Sequence, residues 1–184
     1  MPFFRSAAAV LFCLGLALAV AVAPAQAAKA DTKAFNAYYA SQSSKIYDHL
    51  LKVTDYYSSL TRGGNADRIK DVLALRASLS ACWELFLNAG DMVYIHDLLD
   101  PSCTDSVNRI KGMVKNGLGV IAGKLDKEVQ WMRLVEKNVA DLPVSTELAQ
   151  ALRDIEAAAA YLRSAGAVFD TGPGSGDPRQ PARK

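Results

Sequence analysis

From about residue 32 to residue 165, apolar side chains recur at steps of three and four, the period of a helix with one buried face. The first stripe, from about Thr32 to Leu60, is Phe35, Tyr38, Gln42, Ile46, Leu50, Val53, Tyr57 and Leu60, with Gln42 its one polar member. Asp31 or Thr32 serves as its N-cap, and Gly63–Gly64 ends it. A second stripe begins after Asn65 with Ile69, Val72, Leu75, Leu79, Cys82, Phe86 and Ala89. Asn88 to Asp91 then reads as a break, in which Gly90 stops one helix and Asp91 caps a short one over Met92 to Leu99.

Asp100-Pro101-Ser102 is the next interruption, with Ser102 a cap for the third helix. The third stripe runs from Cys103 through Val107, Ile110, Val114, Leu118, Ile121, Leu125, Val129, Met132 and Val135 to Val139. A helix over Cys103 to Ala140 spans roughly 55 Å, longer than its expected neighbours. Leu142-Pro143 closes it, and Ser145 caps a fourth helix carrying Leu148, Leu152, Ile155, Ala159 and Leu162 up to Gly166. No stretch alternates with the period of a β-strand, and no internal repeat is present. The pattern predicts an all-α fold. Its simplest form is a four-helix up-down-up-down bundle with a short extra helix between helices 2 and 3.

The two ends of the chain differ from this middle. Residues 1–28 form a short basic end with Arg5, an apolar run from Ala7 to Val22, then Pro24 and a small-x-small site at Ala25-Gln26-Ala27. That order predicts a cleavable signal peptide and a periplasmic or secreted protein. The alternative is that the segment is kept as an anchor, although its run is shorter than the about 20 residues a spanning helix needs. Cys13 lies in mid-run after Phe12, not at the small-residue end where a lipidated cysteine belongs. Residues 29–168 then make the bundle, and the Gly- and Pro-rich residues 169–184 read as a disordered tail.

Charge narrows the partners. The formal net charge is +2, of which Arg5 supplies one. Nothing in it argues for nucleic acid, or for membrane contact beyond the signal peptide. Export also changes the reading of Cys82 and Cys103, the two cysteines left after cleavage: in an oxidising compartment they are a disulfide candidate. Both sit on apolar stripes and are expected to face the core. If helix 2 ran unbroken to Leu99, Cys82 would stand about 25 Å from the hairpin. A disulfide needs Cα atoms within about 7 Å. The bond and the break at Asn88–Asp91 are therefore predicted together, the closed loop contributing about 3 kcal/mol.

No catalytic constellation emerges. Lys115 to Lys124 resembles a phosphate loop, but its glycine spacing is wrong and Leu125 replaces the required hydroxyl. Gly119 and Gly123 read better as a face that lets a neighbouring helix come close. His49 and His96 stand apart with no Cys-x-x-Cys, so no metal site and no cofactor is expected. His49 reads as a partly buried structural histidine, and His96-Asp97 as a surface pair. Helix 1 is rich in tyrosine; Tyr39, Tyr47 and Tyr56 fall off its stripe and form a candidate face for an unknown protein partner. The expectation is thus an exported, non-enzymatic bundle that binds a protein. The alternative is a bundle holding a small ligand or haem between its helices.

Overall fold

The computed structural model describes residues 30–63 and 66–170. The expected signal peptide and residues 171–184 of the expected tail lie outside these. Four helices account for most of what is described: α1 (Lys33–Arg62), α2 (Ala66–Asp97), α3 (Thr104–Glu136) and α4 (Val144–Ala165). Short 3₁₀ turns follow α3 at Lys137–Val139 and α4 at Gly166–Phe169. No strand occurs among the described residues. The all-α expectation holds.

Each helix packs on the next, and α1 closes the ring against α4. The contacts give the directions. Along α1 and α2, Thr32 meets Asp97, Tyr47 meets Trp83 and Thr54 meets Arg76, so one helix descends as the other rises. Arg68 reaches the Asn138 carbonyl at 2.6 Å and the Asp141 carboxylate at 2.8 Å, joining the start of α2 to the end of α3. Arg133 with Glu156 and Asp126 with Arg163 run α3 against α4, and Tyr38 with Tyr161 and Lys52 with Glu147 run α1 against α4. Every neighbouring pair is antiparallel.

The expected short extra helix is corrected: α2 continues from Ala66 through Asn88–Asp91 to Asp97. The reason lies in the packing. Val72, Leu75, Leu79, Cys82, Phe86, Ala89, Val93 and His96 are all fully buried, at alternating steps of three and four. That seam crosses Gly90 without a change of phase. One glycine costs a helix interior about 1 kcal/mol, whereas burying a single large apolar side chain returns about 1.5–3 kcal/mol. Continuing the seam to Val93 and beyond outweighs stopping at Gly90. The 32 residues of α2 now match the 33 of α3, so α3 is not the overlong helix its pattern suggested. By length and composition Arg68–Asp97 is also apolar enough to cross a membrane. Here its seam faces α1 and α3 instead.

Gly90 has a different role from the expected stop. A Cβ added there would overlap the ring of Tyr39, which lies stacked between Phe35 and Phe86 with centroids 6.1 and 5.4 Å away. Gly117 on α3 likewise makes room for the Met92 sulfur. The ends of the helices also differ from expectation. Cys103 occupies the N-cap position of α3 and Pro143 that of α4, in place of Ser102 and Ser145. Phe169 is not in a tail: it is 1% exposed, and the bundle runs to Asp170, which pairs with Lys115.

Candidate functional site

The tyrosine face is only partly a surface. Tyr39 and Tyr56 are half-buried and pack against the core. Burial raises the Tyr39 hydroxyl above its ordinary pKa, with Asp91 adding to the effect. Of the three candidates, Tyr47 alone is exposed, at 39%, tilted against Trp83 with centroids 4.9 Å apart. Leu51, four residues on, is also exposed and extends this patch.

Inside the α1–α4 seam stands a group that the helical pattern did not assemble. His49, 5% exposed, lies between two carboxylates of α4: Nδ1 bonds to Glu147, and Nε2 to Asp154 at 2.9 Å. A carboxylate oxygen thus stands at each ring nitrogen. Lys52 donates to Glu147 at 3.2 Å, Gln150 to the Asp154 carboxylate at 3.0 Å, and the buried Gln42 to the Asp154 carbonyl at 2.8 Å. Burial works against ionising both carboxyls. The hydrogen bonds from His49 and Lys52 outweigh it at Glu147, and those from Gln150 and His49 at Asp154, so both titrate below their ordinary values. The arrangement is a clamp between helices. Neither ring nitrogen is left for a substrate or a metal. The sequence did carry a signal: Glu147 and Asp154 are seven apart on one face of α4, and Lys45, His49 and Lys52 repeat at four and three on α1.

His96 is fully buried, which corrects the surface-pair expectation. Its Nδ1 lies 3.2 Å from Asp97, whose carboxylate also accepts from the Thr32 hydroxyl at 2.8 Å and from Asn36 at 3.2 Å. The Phe169 ring stands edge-to-face on the imidazole, centroids 5.2 Å apart. Among the described residues Nε2 has no hydrogen-bond partner. A pocket of about 170 Å³ opens at this end, lined by Thr32, Phe35, Tyr161 and Phe169 among others.

The expected disulfide is corrected as well. Cys82 and Cys103 are both free thiols, Cys82 buried and Cys103 exposed rather than facing the core. Because α2 is unbroken, Cys82 stands about 22 Å of helix rise from Asp97, too far for the bond. Burial, with a smaller contribution from Glu128, pushes the Cys82 thiol up to about 12 and leaves it protonated and unreactive.

The outer face of α3 is the least expected region. Met113, Val120, Trp131 and Leu134 are 60, 59, 49 and 68% exposed. At 100° per residue they project from one side of the helix, opposite the buried stripe. Arg109, Asn116, Lys124, Lys127 and Gln130 share that side, and Glu128 stands on its flank in a pocket with Glu84, Lys124 and Lys127. Gly112, Gly119 and Gly123 also open onto it, with no atom within 4 Å of where a Cβ would stand. The expectation that Gly119 and Gly123 admit a neighbouring helix of this chain is therefore corrected: among the described residues none is there. A groove of about 600 Å³ flanks the ridge, lined by Lys115, Asn116, Gly119 and Val120 on α3 and by Arg163 and Gly166 across from them. The missed signal was the seven-residue spacing of Met113, Val120, Lys127 and Leu134, a second stripe out of phase with the first.

Among the described residues, no group of three or more His, Cys, Asp or Glu side chains is placed to hold a metal ion. No protein family, curated protein or solved structure matches the chain.

Proposed function

We propose that this chain is an exported, non-enzymatic helical bundle that acts in the periplasm by binding a protein partner. The observation that carries the reading is the outer face of α3. Four large apolar side chains stand there in water, while the opposite side of the same helix is packed to completion. Exposed apolar side chains recurring along one side of a helix suit a contact with another protein. The Tyr47–Trp83 patch on the α1–α2 side is a smaller surface of the same kind. The inward titratable groups support a binding role over catalysis: His49 is held at both nitrogens, and Cys82 is kept protonated. The N-terminal pattern of Arg5, the apolar run and Ala25-Gln26-Ala27 supports export.

A photo-crosslinking residue placed at Asn116 in the native envelope tests this, with Ala157 on the outer side of α4 as the control. A discrete protein adduct from position 116 and none from 157 is expected. Equal labelling at both, or none at 116, refutes the reading. A small-ligand or haem bundle keeps one observation in its favour, the unpartnered Nε2 of His96. Purified protein with a Soret band that disappears in His96→Ala would bring that reading forward.

A further inference from the structure

We infer that the end of the bundle around His96 is a second, separate site, one that holds a small hydroxylated aromatic molecule the size of a phenol. The ligand's ring lies among Phe35, Tyr161 and Phe169, and its hydroxyl donates to His96 Nε2. This site and the partner-binding face do not depend on each other. The starting point is a buried group left without its bond. His96 is fully buried, and among the described residues its Nε2 finds no hydrogen-bond partner. Such a group costs stability, and folds retain few of them. The imidazole is held by a relay: Thr32 and Asn36 donate to Asp97, whose carboxylate stands at Nδ1. With the acceptor at Nδ1, the neutral ring keeps its lone pair on Nε2. A histidine oriented in this way is set to receive a donor.

The pocket beside it sets the class of that donor. Phe169 joins the two, because its ring both lines the pocket and stands edge-to-face on the imidazole. The volume, about 170 Å³, is that of a single ring; a cavity of about 150 Å³ takes benzene. Drug-sized ligands need about 300–1,000 Å³, and a haem does not fit. Three aromatic side chains line the space. The hydroxyls of Thr32 and Ser164 are already given, to Asp97 and to the Tyr161 carbonyl. A water there gains less than an apolar ring does. A charged amine would be stripped of its water for one acceptor. An apolar ring with one neutral hydroxyl matches both the pocket and the imidazole. It reaches Nε2 by turning Phe169 aside. That residue ends a four-residue 3₁₀ turn, held beyond it by the surface pair of Lys115 and Asp170.

The test titrates phenol into the whole processed chain by calorimetry, with toluene as a ring of similar size that lacks the donor. Phenol is expected to bind saturably, at least about tenfold tighter than toluene. His96→Leu, which keeps an apolar side chain under Phe169, should bring phenol down to the toluene level. In nitrogen-15 spectra phenol should move the Nε2 resonance of His96 and leave His49, the chain's other histidine, in place. No saturable binding, or a His96 resonance that phenol leaves unmoved, overturns the inference. Equal affinity for phenol and toluene overturns it as well, since the pocket is then only apolar. So does a Soret band lost in His96→Ala, which puts iron on Nε2. The spectra are taken on the wild type and decide the matter whether or not His96→Leu folds. Crosslinking at Asn116 reports on partner binding alone. Phenol binding without that adduct keeps this site and refutes the partner reading; the adduct without phenol binding does the reverse.

Discussion

At Gly90 the space left by the missing Cβ is filled by the ring of Tyr39; at Gly119 and Gly123 no described residue fills it. All three residues lie inside long helices and carry the same propensity cost. At the α1–α2 seam that cost is offset by a stack, Phe35 on Tyr39 on Phe86, which could not form against a larger residue. On α3 nothing in the described chain offsets it. One residue type thus marks a finished interface in one region and an open one in the other. Only its neighbours distinguish the two.

The contrast is broken most severely at the inner seam. Gly90→Ala should destabilise the fold by about 1–3 kcal/mol despite the better helix former, because Tyr39 has no room to yield between two rings. Chemical denaturation measures this, and Tyr39→Ala in the same chain should recover part of the loss, a non-additive pair. The other inner seam is tested at His49. His49→Ala removes the donor that Glu147 and Asp154, two turns apart on α4, share, a loss of about 1–2 kcal/mol at neutral pH.

That clamp also predicts a pH dependence. Glu147 and Asp154 titrate below their ordinary values of 4.5 and 3.8 when folded. Their contribution is therefore complete above those values and is lost as pH falls through the lower, folded ones. Stability followed from pH 5 down to pH 2 should decline more steeply in the wild type than in His49→Ala. Equal slopes would mean the clamp does not hold the helices.

The outer face should respond with the opposite sign. Gly119→Ala and Gly123→Ala should each stabilise the bundle by about 0.5–1 kcal/mol, and additively, since no atom stands in the way. A loss of stability at either position would show that the face is not open. The smallest effect concerns the thiols. A thiol reagent should label Cys103 at once and Cys82 only on unfolding, with no change of mass under reductant beforehand.

Much of the bundle is legible from one number, the helical period. Stripes through Leu50, Leu79, Leu118 and Leu152 place every helix and its buried face. The continuity of α2 at Gly90 is not legible, because glycine as a stop and glycine as a contact look alike until the facing residue is known. The disulfide shares that fault, since it depends on the break. The clamp at His49 needs residues about a hundred positions apart to meet, and spacing within one helix does not say which helix it faces. His96 escapes the pattern for the same reason: the residue that covers it, Phe169, lies in what reads as tail.

By itself, then, the sequence determined that the chain is helical, roughly where the four main helices lie and which side of each faces the core, because those properties depend on residues three and four apart. The tertiary structure decided everything that depends on a distant partner. It made Gly90 a seat for Tyr39, put His49 between two carboxylates, and kept Cys82 and Cys103 apart. It also left one stripe of α3, Met113 to Leu134, uncovered by any described residue. Burial belongs to pairs of surfaces, and a stripe becomes core or interface only when the fold covers it or does not.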